Sequence, residues 1–396
     1  MSIVLSASVR QNLLSLQSTA DLLSTTQNRL ATGNKVNSAL DNPTNFFTAQ
    51  GLNNRASDIN NLLDSIGNGV QVLQAANTGI TSLQKLVDTA KSIANQVLQA
   101  PAGYTTKSSY TSDTNVGATA ANLLGGTKLA QADALVIAAT GGGTATNITF
   151  GTGASEVNTL DELNAALAAN NLQASVDDTT GKITITTTND KASATVGALS
   201  GGAIAAGKAF LPASTTVVAA VADSASQTIR ASLVKQYNDI ITQITTTAQD
   251  ASFNGINLLN GDDLKLTFNE TGKSILNIKG VTFGAAGLGL ATLTAGTDFL
   301  DNASAKATID KISNASSMLR THASALGSNL SIVQIRQDFN KNLINVLKNG
   351  SSNLTLADTN EEAANSQALS TRQSIAVSAL ALANESQQSV LQLLRT

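Results

Sequence analysis

Apolar residues recur at coiled-coil spacing close to both ends of this chain, where backbones usually fray. Near the start they are separated by three, four or seven positions: Val9, Leu13, Leu16, Ala20, Leu23 and Leu30. The same spacing relates a set near the end: Ala376, Leu380, Ala383, Val390 and Leu394. Such spacing aligns apolar side chains along one face of a helix that pairs with another helix. Each end is therefore predicted to be a helix that requires a partner.

A single helix of this kind is marginally stable in water, because most helical stability in proteins comes from packing of the apolar face. Neighbouring molecules that present the same seam would supply that packing. We therefore expect the terminal helices to fold as many copies assemble. The predicted self-assembly seam consists of Leu5, Val9, Leu13, Leu16, Leu23, Leu30, Leu380, Val390, Leu391 and Leu394.

The middle of the chain differs in composition from both flanks. Arginine is absent between Arg55 and Arg230, where Gly, Thr and Ala dominate. Pro101 and Pro212 bracket this region, and proline resists continuation of a helix. We predict that residues 102–224 form an inserted, variable outer domain and that both flanks belong to one other structure.

The flanks predict a mainly α fold, a long antiparallel helical bundle or coiled coil built from the N- and C-terminal regions. Five helices are expected: one from Val9, one after Pro43 over about 45–99, then 226–249, 303–348 and 358–395. We assign residues 1–43 and 358–396 to terminal coiled-coil helices that form an inner tube. Residues 44–101 and 225–357 are assigned to a helical rod domain.

A β-hairpin near residues 252–282 is predicted to pack on the rod helices. Two Asn-Gly pairs, at 254–255 and 260–261, are turn signals, and Leu264, Leu266 and Phe268 alternate with polar residues.

The insert is predicted to be a small α+β module. Thr159 and Glu162 form a capping box at the start of a short amphipathic helix. Two strands then flank a turn at Thr180-Gly181, and ALVIAAT and TNITFG read as two more strands. Residues 102–130 and 190–224 give no clear pattern.

Composition excludes several classes of function. The chain has no cysteine, so disulfides, thiolate metal sites and cysteine nucleophiles are ruled out. Its formal charge of −3 and lack of Lys/Arg runs argue against nucleic acid as a partner. No stretch approaches the roughly 20 apolar residues of a membrane span, so no membrane insertion is expected. The opening run Ile3-Val4-Leu5 is too short for a secretory leader, and we expect no cleaved signal peptide.

Candidate catalytic and binding residues all have simpler explanations. His322 is the only histidine and has no second histidine with which to form a zinc protease motif, so we expect a residue of a helix surface or of the core. Four carboxylate pairs, at 161–162, 177–178, 262–263 and 361–362, are expected at turns and helix starts. The sequence Gly-Gly-Gly-Thr at 141–144 lacks the lysine of a phosphate-binding loop. We therefore predict no enzyme activity, no metal and no cofactor.

Three stretches carry a resemblance to bacterial flagellins. RLATGNKVNSALDNPTNFFTA (29–49) resembles the family's N-terminal signature, SFNGINLLNG (252–261) its F-N-G hairpin, and ANESQQSVLQLLR (383–395) its C-terminal ending. The matching regions cover about two-thirds of the chain, residues 1–100 and 226–396. T-L-D-E-L-N-A-A-L with the following strand pair resembles the IN-type module of flagellins and hook-associated proteins.

The resemblance implies a self-assembling subunit of an extracellular flagellar filament that serves swimming motility. It implies export in an unfolded state through the flagellar type III export apparatus, with a flagellin chaperone, and contacts with the filament cap and junction proteins. The terminal helices would form the inner tube and the insert would project outward.

The sequence departs from the family pattern in three places. The insert precedes the third helix, whereas in the best-known members the variable domain follows the F-N-G hairpin. Gln387 stands where many relatives have proline, so an unkinked last helix is expected. Thr89, Lys91 and Ser92 stand where receptor-activating flagellins carry Arg, Arg and Glu, which implies weak recognition by Toll-like receptor 5.

Two alternative functions stay open at this point. A hook–filament junction protein shares the terminal helices and the IN-like module but forms a single ring. An adhesin would use the insert as a binding head, although sparse aromatic residues, 3% of the chain, argue against a specific pocket.

Overall fold

A computed structural model describes residues 7–101, 103–115, 117–211 and 216–393 of the chain. Of the predicted seam, Leu5 and Leu394 lie outside the described residues. For Val390 and Leu391 only the helical backbone is described.

Five long helices form the flanks, as predicted. They are α1 (Ala7–Thr32), α2 (Pro43–Gln99), α4 (Ser224–Asp250), α5 (Asn302–Thr355) and α6 (Thr359–Leu393), while the insert holds the short α3 (Leu160–Ala168). The last helix runs continuously through Gln387, as the absence of proline there predicts. Within the part of the chain that is described, no helix is both long and apolar enough to cross a membrane.

The boundary between α1 and α2 follows from local chemistry. The Asn42 side-chain oxygen accepts a hydrogen bond from the Asn45 backbone N–H at 3.0 Å, which caps α2. Pro43 is the first residue of α2, where the missing N–H is not needed and the fixed φ favours the helix. The proline therefore starts the second helix two residues earlier than its apolar periodicity indicated.

The chain divides into two compact units. The first contains the described residues up to Val70, the hairpin segment Lys265–Asn277 and the residues from Ser331 onward. In this unit α1 lies along α6. The α2 and α5 helices pack together through Ala56, Ile59, Ile344 and Leu347.

The second unit, Gln71–Leu264 with Ile278–Leu330, contains the rest of α2 and α5, all of α4 and the insert. Each helix buries one face, and Tyr237 of α4 packs edge-on against Phe299 with ring centroids 6.0 Å apart. Burial raises the pKa of Tyr237 to about 12, because the charged form would be poorly solvated. Polar anchors fix the loop before α5: the Asn238 side chain exchanges two hydrogen bonds of 2.8 Å with the backbone of Leu293.

The predicted β elements after α4 are present. Phe253 and Ile256 exchange backbone hydrogen bonds across Asn254 (φ 50°) and Gly255 (φ 80°). Positive φ at both central residues is the type I′ geometry that an Asn-Gly pair favours. Farther on, β9 (Leu264–Thr267) pairs with β10 (Ile275–Ile278), and the alternating Leu264, Leu266 and Phe268 are buried.

The insert contains two three-stranded antiparallel sheets and α3. One sheet has the order β2 (Ser109–Thr111), β6 (Lys182–Thr187), β5 (Leu172–Asp177); the other has the order β4 (Thr146–Thr149), β3 (Ala134–Ile137), β7 (Leu199–Ser200). Both halves of the predicted capping box are formed between Thr159 and Glu162. A single hydrophobic core includes the stacked rings of Tyr110, Phe210 and Phe150.

The chain enters and leaves the insert side by side. The entering strand β1 (Tyr104–Thr106) pairs antiparallel with the leaving strand β8 (Val221–Ala222). The carbonyl oxygen of Gly103 accepts hydrogen bonds from Asp223 N at 3.0 Å and from Gln227 Nε2 at 2.7 Å. Residues 103 and 222 are thus the neck of an inserted module.

Arg230 of α4 joins three segments beneath this neck. Its side chain is almost fully buried, and its Nε and Nη2 donate to the carbonyl oxygen of Pro101 at 3.2 and 3.1 Å. Its Nη1 donates to the carbonyl oxygen of Phe299 at 2.9 Å. Burial lowers the pKa of Arg230, and the charge of Asp301 opposes this shift. One guanidinium group therefore ties the end of α2 and the segment before α5 to α4.

Replacing Arg230 with methionine removes the side-chain donors to the carbonyl oxygens of Pro101 and of the buried Phe299. We expect the free energy of unfolding to fall by about 2–4 kcal/mol, measured by circular dichroism in a urea titration. Lys235→Met is the matched control on the same helix, because the Lys235 side chain is 78% exposed. The control is expected to change stability by less than about 0.5 kcal/mol. Equal effects of the two substitutions would contradict the role of Arg230.

Candidate assembly interface

The seam between α1 and α6 follows heptad spacing on both helices. On α1 the inward residues are Val9, Asn12, Leu16, Thr19, Leu23 and Thr26, and on α6 they are Glu362, Ser366, Leu369, Gln373, Ala376, Leu380 and Ala383. All are buried or half-buried, and steps of three and four separate neighbours in each set.

The seam is unusually polar for a coiled coil. Thr19 and Thr26 are buried within it, and Thr19 satisfies its hydroxyl by donating to the carbonyl oxygen of Ser15 at 2.8 Å. At one end, Arg29 Nη1 lies 3.3 Å from Glu362 Oε1. Arg29 is in the last turn of α1 and Glu362 in the first turn of α6, so each charge also suits its helix dipole. The seam therefore fixes register but offers modest apolar burial.

The predicted seam residues divide into two groups. Val9 is buried, and Leu16, Leu23 and Leu380 are half-buried against the paired helix. By contrast, Leu13 and Leu30 are 44% and 39% exposed, outside the contact.

The heptad runs through positions 12, 19 and 26, which hold Asn and Thr. The pattern built from apolar residues alone therefore differs at these positions from the α1–α6 contact within one chain. A search for three- and four-residue spacing that admitted threonine and asparagine would have found these positions.

Other large apolar side chains on the terminal helices are also exposed. They are Leu14 and Leu22 on α1 and Ile375, Val377 and Leu382 on α6. Leu14 and Leu22 line an open groove of about 380 Å³ along α1, together with Gln17 and Asp21. The pair of terminal helices thus has apolar surface in excess of what the two helices cover for each other.

The linkers that lead into this helix pair are joined by backbone hydrogen bonds. Lys35 N donates to Thr355 O at 2.7 Å, and Ala357 N donates to Gly33 O at 2.9 Å. Asn34 and Leu356 form an antiparallel bridge between these bonds. The α1–α2 linker and the α5–α6 linker therefore form one structural element in the first unit.

Asp41 organises the α1–α2 linker. Its carboxylate accepts hydrogen bonds from Ser38 N at 2.8 Å and from Asn37 N at 3.0 Å. These backbone bonds, with that of Ser38 the largest contribution, hold the pKa of Asp41 below its usual range. The Asn-Ser-Ala-x-Asp stretch of the N-terminal signature is thus a turn closed by hydrogen bonds to its own aspartate. Leu40, the residue before Asp41, is 97% exposed.

The positions predicted to affect receptor recognition lie on α2 in the second unit. Thr89 and Ser92 are exposed and Lys91 is half-exposed. Thr89 and Ser92 line an open groove with Gln236, Asp239 and Ile240 of α4, among others. This surface carries no arginine, so it lacks the bidentate donors of an Arg-rich patch.

The histidine and the carboxylates considered as candidate catalytic or binding residues make packing contacts and hydrogen bonds within the fold. The His322 ring packs edge-on against Phe283, 4.7 Å between centroids. Glu162 accepts backbone hydrogen bonds at the start of α3, from Asn158 N at 2.8 Å and Thr159 N at 3.0 Å, which lower its pKa.

Turn and cap contacts also account for members of the other carboxylate pairs. Asp177 accepts from Thr180, Asp262 accepts from Asn257 N at 2.8 Å, and Asp263 pairs with Lys279.

Comparisons with known proteins match both end regions of the chain to one family. A family model of the bacterial flagellin N-terminal helical region matches residues 4–124, and a model of the C-terminal helical region matches residues 309–394. The two matches together cover more than half of the chain. They include α1, α2 and α6 with most of α5.

Individual relatives agree with these matches. Flagellin FljM of Caulobacter vibrioides is 34% identical over 165 residues, which cover 41% of this chain and 59% of that protein. Flagellin FljJ of the same organism is 29% identical over 184 residues, covering 45% and 66%. Flagellin A of Rhizobium meliloti is 32% identical over 124 residues, covering 31% and 27%.

The chain spans about three-fifths of the length of most of the Caulobacter relatives that it matches. The regions shared with the family are those that build the paired terminal helices and their linkers. On these matches, the chain belongs to the bacterial flagellin family.

Proposed function

We propose that this chain is the structural subunit of a bacterial flagellar filament and that it assembles through its terminal helices into a helical tube for swimming motility. The observation that carries the proposal is the α1–α6 pair, whose polar seam leaves large apolar residues exposed. Neighbouring copies that cover those residues would supply the burial that one chain lacks. Membership of the flagellin family supports the same conclusion.

The proposed assignment of parts follows the helices. Residues 1–43 and 358–396 form the inner tube, 44–101 with 225–357 form the rod around it, and 102–224 project outward. The seam residues that hold the inner tube, by contacts within one copy or between copies, are Leu5, Val9, Leu13, Leu16, Leu23, Leu30, Leu380, Val390, Leu391 and Leu394. Exposure of Leu13 and Leu30 in the single chain suits contacts between copies, whereas Val9 and Leu16 serve the pairing within one chain.

The proposed role is mechanical and requires no catalytic group or cofactor. Partners beyond the homopolymer are the flagellar type III export apparatus, a flagellin chaperone, and the cap and junction proteins. The filament would be extracellular. These partners follow from the family and from the weakness of the terminal helix pair, which allows it to form after export.

The filament subunit is favoured over the two alternatives. The relatives are named flagellins, which favours a long polymer over the single ring of a junction protein. An adhesin would need a binding surface on the insert, but three of its four aromatic residues, Tyr110, Phe150 and Phe210, are buried in its core. Finding the protein as the bulk of sheared filaments would separate filament subunit from junction protein.

Electron microscopy of the purified protein tests the proposal. Heat-dissociated protein that is seeded or salted out is expected to form long tubes, because terminal seams from many copies then meet. A variant that lacks residues 1–35 and 360–396 is expected to form none. Rings or monomers from the intact chain under every condition would refute the filament role.

Leu394→Asp tests the C-terminal seam with a single substitution. Placing a carboxylate in an apolar contact between copies is strongly unfavourable, so we expect polymerisation to be blocked. Circular dichroism is expected to retain the signal of the middle helices. Filaments of normal length from this variant would remove Leu394 from the seam.

Thr89, Lys91 and Ser92 predict a weak response of Toll-like receptor 5 to the monomer. A reporter-cell assay with purified monomer measures this, and we expect restoration of Arg, Arg and Glu at these three positions to increase the response. Strong activation by the unchanged chain at ordinary concentrations would show that the expectation is wrong.

A further inference from the structure

The chain leaves the insert through a segment that is both apolar and exposed. This segment, which we name the exit edge, is residues 216–222, Thr-Val-Val-Ala-Ala-Val-Ala, and it ends in β8. Val217, Val218 and Val221 are 37%, 49% and 53% exposed, and of the seven residues only Ala220 is half-buried. An extended run of valine and alanine in water is a surface that another strand can cover.

One side of the exit edge is hydrogen-bonded within the insert. Val218 N donates to Ser109 O at 2.8 Å and Ser109 N donates to Val218 O at 3.1 Å, while β8 pairs with β1 farther along. Backbone groups of successive residues in an antiparallel strand are directed to opposite sides. The N–H and C=O groups of Val217 and Ala219 are therefore directed away from Ser109, as they are on the outer side of an edge strand.

The insert covers two of its other strand edges. At β5, Ala174 N donates to Asn164 Oδ1 at 2.6 Å and Asn164 Nδ2 donates to Ala174 O at 3.2 Å, so an amide of α3 occupies the place of a further strand. At β4, Val157 N donates to Thr149 O at 2.9 Å. Proteins also protect edges with lysine or proline, and residues 216–222 contain neither. The exit edge thus differs from the protected edges of the same insert.

The exit edge is complementary to a second copy of itself. Two such edges that pair antiparallel about Ala219 place Val217 of each copy opposite Val221 of the other, and the two Ala219 backbones meet at a two-fold axis. A two-fold contact brings identical surfaces together, so a charge near the axis would meet its own like charge. Residues 216–222 contain no ionisable side chain. The segment therefore meets the electrostatic condition for pairing with itself.

The contact is small. At about 3.3 Å per residue the exit edge is about 23 Å long, and a single strand pair buries much less than the roughly 800 Å² per partner of a stable dimer. Two free copies would therefore meet only transiently, whereas many such contacts acting in parallel would hold.

We propose that the exit edge is a docking surface for the exit edge of a second copy, through antiparallel strand addition centred on Ala219. Addition of a strand to an exposed edge is a recurring mode of recognition, and here the surface and its partner are the same segment. A two-fold contact closes at a pair and does not propagate along one helical polymer. Between filaments it would join copies side by side. That consequence rests on the proposed function, whereas the pairing of two copies does not.

Disulfide trapping of free chains tests the pairing, because the natural chain contains no cysteine. Ala219→Cys places both thiols at the axis, where the Cα atoms of a hydrogen-bonded pair lie about 5.5 Å apart, within reach of a disulfide. The control is Ser175→Cys, an exposed small residue of β5 at the opposite edge of the sheet. Mild oxidation is expected to give covalent dimers at least about tenfold faster for Ala219→Cys. Equal rates for the two variants would overturn the proposal.

Added charge at the axis tests the consequence for filaments. Ala219→Lys places two like charges directly opposite each other, which is destabilising, so its filaments are expected to lie separately in electron micrographs. Filaments of the unchanged chain and of the control Ser175→Lys are expected to lie side by side. An equal mixture of Ala219→Lys and Ala219→Asp filaments is expected to associate again, because opposite charges then meet. Side-by-side filaments of Ala219→Lys alone, or separate filaments in the mixture, would overturn the proposal.

Failure of this inference is distinguishable from failure of the filament function. Disulfide trapping uses free chains and gives its answer whether or not filaments form. Absence of filaments from the unchanged chain refutes the filament role. Normal filaments together with equal trapping at Ala219→Cys and Ser175→Cys refute only the exit-edge contact.

Discussion

The pairing of α1 with α6 determines how strongly, and in which register, the two terminal helices hold each other. Its face includes buried threonines and a half-buried ion pair in addition to leucines, so it gains less from burial than a leucine-rich seam of the same length. Polar groups in a seam specify register, because Arg29 meets Glu362 in only one alignment of the helices. The result is a contact that is specific and weak. Such a contact suits a subunit that gains its final stability from its neighbours.

The insert, in contrast, has a hydrophobic core of its own and needs no neighbouring copy to complete it. Its core is closed around the stacked rings of Tyr110, Phe210 and Phe150. Adjacent entry and exit strands join it to the helices, and Arg230 fixes the backbone beneath them through hydrogen bonds to carbonyl oxygens. A module with adjacent ends can be placed between two helices without interrupting their packing. This explains how the insert can precede the third helix while the order of the core helices is kept.

Sequence patterns predicted the long helices well, because apolar spacing persists over many turns and local capping signals such as Asn42-Pro43 agree with it. They failed where packing uses residues of ambiguous polarity. Thr19 and Thr26 occupy positions of the α1–α6 contact that an apolar pattern skips. Leu13, which the pattern includes, lies outside that contact and stays a prediction for contacts between copies. Strands β1, β7 and β8 have only two or three residues. Such strands are too short to show an alternation of apolar and polar residues, and their pairing depends on a partner strand that is distant in the sequence. The exposure of Ile335 was not predicted for a related reason: Ile335 and Ile344 fit one helical pattern equally well, although only Ile344 is buried.

Incomplete cover of the terminal helices within one chain is what the proposed assembly would use. If copies meet through several such seams, each further contact would form at the high effective concentration that the first creates. Addition to the end of a polymer, where several seams meet one incoming copy, would then be favoured over association of two free copies.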